Sequence, residues 1–448
     1  MRLSTSFRLA LLTLVLAVAA LAVTSRLGRG RAAAPAVTTA PQAESQEVIL
    51  TALAGDQPID REIAALQSKV VSQPESNALV ERLGWAFVTK ARLSNDPGFY
   101  KLAELCASRV LASAPGEADA LLLRGHIFHA LHRFRDAEAV ATDLTSKREF
   151  VFDYALLGDA LMEQGKLPAA VEAYQKMVDL KPCLQTYSRI AHMRWLKGDL
   201  PGAIAAAELA VSSGSANEPE PLAWASTRLA FYLLQANDAA QALTTAQRAL
   251  RIAPEYPAAL LLEGRALLAQ DRIPDAITPL KRASELSPLP DYLWTLADAL
   301  RANHQDDEAN TVEQKLRGTG EANDPRTLSL FLASRRLDNP TALRLANAEL
   351  KDRQDVFTYD AVAWAAFAAG EIDIAQKNAA LALAEGTKDP RILYHAGSIA
   401  AAAAKPLEAL TLLNQAAAGA PALLPSERGD LALQVAAINS GASTISSR

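Results

Sequence analysis

The sequence predicts an all-α, right-handed solenoid of about ten helix-turn-helix units. Three observations carry that expectation. Hydrophobic residues make up 50% of the chain but aromatics only 6%, so the apolar half is mostly Ala and Leu, the composition of closely packed helices. Gly158, Gly264 and Gly397 each precede a proline, Pro182, Pro288 and Pro421, at one constant interval. Ala170, Ala276 and Ala409 fall halfway along it, midway between each glycine and its proline. Segments 151–184, 257–290 and 390–423 therefore share one 34-residue template.

That spacing has a physical reason. Two helices of about 14 residues and two short turns fill such a unit. The small sites in the two helices mark the closest approach of the pair, where a larger side chain costs roughly 1–3 kcal/mol. Proline ends the second helix, because it lacks an N–H and restricts the residue before it. A fourth copy, 223–256, keeps Pro254, Ala242 and Ala249, with Ala230 at the glycine site.

Weaker copies fill the gaps. Residues 118–150 keep Gly125 and Ala137, and 184–217 keep Ala191, Gly198 and Ala203. Residues 291–324 keep Trp294 and Ala297 but lose both later alanines, and 356–389 keep Tyr359, Gly370, Ala375 and Ala382. A divergent copy around 77–117 holds Leu83, Gly84, Ala103 and Pro115 with a longer turn, and a degenerate unit lies near 325–355. Residues 59–76 read as an N-terminal half-repeat and 424–448 as a capping helix with a loose tail from Gly441, since terminal units each have one uncovered face.

These residues resemble the tetratricopeptide repeat, as in Tyr154, Leu157, Gly158, Ala170, Tyr174 and Pro182 of one unit. The resemblance covers roughly 77–423 and is specific because many units share one register; the body is also similar to long repeat proteins of bacterial envelopes. It implies a protein or peptide partner, no cofactor, and a concave face lined by first-helix positions 2, 5, 9, 12 and 13. Those positions hold His126, His129, Phe152, Asp159, Met162, Glu163, His192, Trp195, Trp224, Thr227, Phe231 and Arg265. Two readings stand: a groove for an extended peptide, or aromatics that fill the tight inner radius. Some family members clamp a C-terminal carboxylate with Lys and Asn. His126, Asp159, His192 and Phe231 occupy those sites here, so the clamp is absent.

Charge and motifs exclude other classes. The five arginines of residues 1–31 stand without an acid; subtracting them from 45 basic residues leaves 40 against 50 acidic. An acidic body argues against nucleic acid as a partner. Membrane contact is expected only through residues 1–31, where Arg2 and Arg8 precede the apolar run Leu9–Val23. Beside a buried core helix, that pattern fits a cleaved signal peptide or an uncleaved anchor, with Arg26, Arg29 and Arg31 against translocation of the flank. Either places the body in the periplasm, after an Ala/Pro/Thr-rich linker at 32–58. Cys106 and Cys183 read as small core residues, two repeats apart. His126, His129 and His132 spread too far around a helix to share one metal, and Asp306–Asp307–Glu308 lacks the other features of a calcium loop. No nucleophile, metalloprotease or phosphate-loop motif is present, so no enzyme is expected. The leading expectation is an envelope adaptor binding in the groove. The alternatives are a self-associating scaffold and an accessory subunit of a polysaccharide-export machine, and the sequence leaves the oligomeric state open.

Overall fold

The computed structural model describes residues 48–94 and 96–446, with side chains as far as 439. The expected signal or anchor at 1–31 and most of the 32–58 linker lie outside the described residues. Of the first compact unit, Met1–Thr51, only the last four residues are described.

The second unit, Ala52–Arg448, holds 22 α-helices and no strand among its described residues. Helix α1 (Pro58–Ser72) stands alone, and ten hairpins follow. They are α2 and α3 (Asn77–Ser94, Gly98–Ser113), α4 and α5 (Ala118–Ala130, Phe134–Lys147), and α6 and α7 (Val151–Glu163, Leu167–Leu180). Next come α8 and α9 (Leu184–Leu196, Leu200–Ser212), α10 and α11 (Pro219–Gln235, Ala239–Ile252), and α12 and α13 (Pro257–Ala269, Ile273–Leu286). The last four are α14 and α15 (Pro290–Ala302, Asp306–Asn323), α16 and α17 (Pro325–Arg335, Asn339–Glu349), α18 and α19 (Val356–Ala368, Ile372–Leu383), and α20 and α21 (Pro390–Ala402, Pro406–Ala418). A 3-10 turn (Ala420–Ala422) leads into α22 (Pro425–Ser446). Helix α22 runs on through the first residues of the expected tail, Gly441 to Ser446.

Each hairpin closes on its small residues. Ala170, Ala276 and Ala409 are fully buried. The glycines are not opposed by these alanines, as expected, but by a large side chain one turn further along the second helix. A Cβ on Gly158 would stand 2.3 Å from the Tyr174 ring, on Gly264 2.4 Å from Leu280, and on Gly397 2.7 Å from Leu413. Gly125 instead meets Leu156 of the next hairpin at 2.4 Å. The register at 291–324 also needs correcting. Helix α14 starts at Pro290, one position short of a full template step from Pro257. Ala309 therefore stands to Ala297 as Ala276 stands to Gly264, and both alanines are fully buried. One later alanine is kept; a 34-residue template misses it by one position. The prolines Pro182, Pro254 and Pro288 lie two residues beyond the helices they stop, which end at Leu180, Ile252 and Leu286; Pro421 sits inside the 3-10 turn. Asp306, Asp307 and Glu308 form the first turn of α15, where the helix dipole favours them.

The turns within hairpins are equally regular. From α4/α5 onward each hairpin turn contains one residue in the left-handed region: His132, Gly165, Gly198, Asn237, Asp271, His304, Arg336, Gly370 and Ala404. The following amide donates back to a carbonyl five residues earlier, as Lys166 to Leu161 (2.9 Å) and Asp199 to Arg194 (2.8 Å). This recovers carbonyls that the helix end leaves unpaired.

Candidate functional site

First helices of successive hairpins are tied by arginine–carboxylate pairs. Arg148 donates from Nε to Asp153 (2.6 Å) and from a terminal nitrogen to Asp119 (2.7 Å). Arg189 donates to Asp159 (2.8 Å), Arg265 to Asp291 (2.6 Å), Arg326 to Asp355 (3.0 Å), and Arg391 to Glu427 (2.7 Å). Burial alone would raise the Asp159 carboxyl; Arg189, with the Tyr174 hydroxyl 2.8 Å away, outweighs it and holds it below the usual range. Glu427 is held low the same way by Arg391, against its burial. Asp159 and Arg265, both expected to face a ligand, thus each pair with a side chain of the next hairpin, and Asp159 also accepts from Tyr174 of its own.

The array turns back on itself. The segment between α17 and α18 lies on the turn of the third hairpin: the Gln354 amide donates to the Glu163 carbonyl (3.0 Å), and Arg353 pairs with the Glu163 carboxylate (2.6 Å). The loop after α19 lies on the fourth hairpin, where Lys197 pairs with Glu385 (2.8 Å), and Asp389 accepts from Gln235 of the fifth (3.2 Å). The start of α22 reaches the sixth and seventh: Arg428 meets Asp271 (3.3 Å) and the Leu268 carbonyl (3.0 Å), and the Ser426 amide donates to Asp298 (2.9 Å).

This return covers part of the expected groove. Trp195 is only 5% exposed; Phe357 stacks on it with ring centroids 5.6 Å apart, and Phe231 meets it edge-on at 5.1 Å. His192 is partly buried beside Trp195 and Arg228, and burial, then Arg228, pushes its pKa down to about 3. Met162, with His192, lines a cavity of about 410 Å³ between the turns, shared with Glu163, Arg326, Arg353 and Tyr359. Glu163 is pushed up by burial despite Arg353. A smaller cavity of about 210 Å³ lies between Phe231, Arg265, Phe357 and Arg391. His126 packs on Trp85 with centroids 5.3 Å apart, and burial, then His129, pushes it to about 3; His129 lies edge-on to Phe134. Among the described residues no three His, Cys, Asp or Glu side chains gather to hold a metal, and Cys106 and Cys183 are free.

Another stretch of the face is accessible. Phe152 is 36% and Trp224 39% exposed. Trp224 stands at a cleft of about 390 Å³ with Arg92, Gln185, Arg189, Glu220, Tyr256 and Tyr292. Arg92 reaches across from the first hairpin to Glu220 of the fifth (3.3 Å). Burial pushes both tyrosine hydroxyls up, Tyr292 to about 12, so they stay neutral donors. Sequence reasoning found Trp224 and missed Tyr256, Tyr292, Arg92 and Arg189. Tyr256 is the last residue of its unit, Tyr292 holds position 2 of 291–324, beyond the last unit read out for the groove, and Arg92 comes from a hairpin four units away.

Two tetratricopeptide repeat family profiles match the chain, one over residues 155–218 and one over 233–300. Both matches fall on hairpins with the shared small-residue register. This is a tetratricopeptide repeat protein. No curated protein matches it. Among solved structures, the crystal structure of yeast Tom70 is similar at 13% identity and TM-score 0.32, over 86% of this chain and 97% of that one. The human IFIT1 dimer with PPP-AAAA gives 16% and 0.36, over 64% and 71%. Pseudomonas aeruginosa pilF gives 15% and 0.32, over 55% and 92%. Likeness at this level carries no partner or location over to this chain. The tetratricopeptide array itself is a scaffold for protein–protein interaction.

Proposed function

We propose that this tetratricopeptide repeat protein is an adaptor of the bacterial envelope, tethered or exported through residues 1–31, that holds an extended segment of a protein partner against the exposed part of its concave face. The observation that carries the binding reading is the cleft around Trp224. Three aromatic side chains, Trp224, Tyr256 and Tyr292, line it together with Arg92, Gln185 and Glu220. Aromatic rings with hydrogen-bonding tips supply contact area at low entropic cost, and peptide segments are recognised by such anchors. The envelope reading rests on Arg2 and Arg8 ahead of the apolar run Leu9–Val23. No described helix is long and apolar enough to cross a membrane, so on this reading the tether is residues 1–31.

Replacing Trp224 and Tyr256 together by Ala tests the site. The partner that copurifies with the full chain from its native cells is expected to be lost, with helicity by circular dichroism unchanged. Undiminished copurification would place binding elsewhere. A phosphatase fused after Arg448 is expected to be active only if that end lies outside the cytoplasm.

A further inference from the structure

The cleft at Trp224 has a period, and that period selects the kind of segment that fits it. Counted back from the small residue of each first helix (Gly158, Ala191, Ala230 and Gly264), the sixth residue is Phe152, Gln185, Trp224 and Ala258 in turn. Gln185, Trp224 and Ala258 all line the cleft. Tyr256 stands eight residues before Gly264, as Phe150 stands eight before Gly158. The cleft thus runs across the starts of the first helices α8, α10, α12 and α14, with a rung from each hairpin. Phe150 and Phe152, each 36% exposed and edge to face at 5.5 Å, hold the same two places at the start of α6.

Helices α8, α10, α12 and α14 touch in succession, and helices in contact lie about 8–10 Å apart. A chain that meets every rung with one face must bring a side chain round at that interval. A β-strand returns a side chain to one face about every 6.7 Å and falls out of step at once. A polyproline II helix does so at every third residue, about 9 Å along its axis, in step with the rungs. An α-helix comes round about every 10.5 Å, but its carbonyls are closed on its own amides.

The chemistry of the cleft separates these further. Its lining is rich in donors: the Trp224 indole and Arg92 only donate, and the Tyr256 and Tyr292 hydroxyls and the Gln185 amide donate as well as accept. The one carboxylate among the described lining residues, Glu220, is already held by Arg92 (3.3 Å). Donors in excess call for a backbone with free carbonyls and few amides. A polyproline II segment leaves its carbonyls unbonded, and each proline in it brings no N–H that would need an acceptor. Proline-rich segments dock on aromatic-lined grooves, and they lose little entropy in doing so because the helix is preformed.

We propose that this cleft takes a proline-rich segment in the polyproline II conformation, with a proline or another compact apolar residue seated on a rung at every third position. The inference deepens the proposed adaptor reading and rests on it for the choice of site; the conformation and the residue type are what it adds.

Fluorescence anisotropy of labelled twelve-residue peptides, titrated with the full chain in detergent, tests it. The probe is four repeats of Pro-Pro-Gln. The controls are six repeats of Thr-Gln, which favours a strand, and three repeats of Glu-Ala-Ala-Lys, which favours a helix. The proline peptide is expected to bind about tenfold or more tighter than either control, and Trp224→Ala with Tyr256→Ala to weaken it about tenfold or more. A control that binds as tightly, a proline peptide not bound up to about 1 mM, or one whose binding the paired variant leaves unchanged would overturn the proposal. Should the paired variant lose helicity, Ala258→Glu decides. A carboxylate in its first turn suits α12, while the longer side chain reaches into the cleft, so about tenfold weaker binding supports the proposal and unchanged binding overturns it. The adaptor reading fails by a different result, copurification of the native partner that the paired variant does not diminish.

Discussion

At Gly158 the helix carries no Cβ because the Tyr174 ring occupies that space, with the phenol oxygen 2.8 Å from Asp159. Gly158→Ala is expected to lower stability by roughly 1–3 kcal/mol, as overpacking does. Urea midpoints of variant and parent measure it, and an unchanged midpoint would mean that the ring moves aside freely. This position was legible from spacing alone, because a glycine repeated at a fixed distance from a proline needs a steric reason. The fate of Trp195 was not. Its position points it inward, but Phe357, the ring that covers it, belongs to a hairpin five units further along, and no local pattern pairs the two. Gly165 and Gly198 are an intermediate case: their difference from Asn237 or Asp271 is visible in the sequence, while its cause, the Gln354 and Gly386 carbonyl oxygens 2.4 and 2.3 Å from where a Cβ would stand, is not.

The hairpin is the element that repeats, and inter-repeat arginine pairs hold one hairpin on the next. Asp153 is fully buried in α6 and takes two bonds from Arg148, which also reaches Asp119 of α4. Asp153→Ala leaves a guanidinium partly buried without its main partner and is expected to cost roughly 3 kcal/mol. Arg148→Met with Asp153→Leu should cost less than the single change, since no charge is then left behind. Equal losses from both variants would argue that packing, not pairing, matters at this joint. Small-residue spacing revealed the hairpins but not these joints, because each pair spans two helices and its partners keep no fixed spacing. The one-position slip at Pro290 shows the same limit: a template of fixed length cannot follow a unit that is shorter by one.

Across the whole molecule, the histidines link stability to pH. His126 and His192 are pushed from an ordinary 6.5 to about 3, chiefly by burial. The unfolded chain takes up protons below about pH 6.5 that these folded groups refuse, so stability is lost as pH falls from there toward 3. Glu163, whose folded form binds its proton more readily, offsets part of this. The expectation is a loss of roughly 1–2 kcal/mol per histidine between pH 7 and 5. Asn at both positions should flatten the dependence, and equal denaturation midpoints at the two pH values would show that the histidines ionise freely in the fold.

The solenoid was legible at this scale, because its register recurs along the chain. The return of residues 351–428 onto earlier hairpins was not, because superhelix pitch is the sum of many small inter-repeat angles. That return divides the concave face into a covered stretch around Trp195 and an exposed one around Trp224, and binding at the exposed stretch is the central claim. Photocrosslinking in the native cell tests it most directly, with the probe placed in turn at Phe152, Trp224 and Leu209, the last an exposed residue on a second helix. The account predicts that positions 152 and 224 join the same protein and that position 209 joins none. A partner captured from 209 and not from 224 would contradict it.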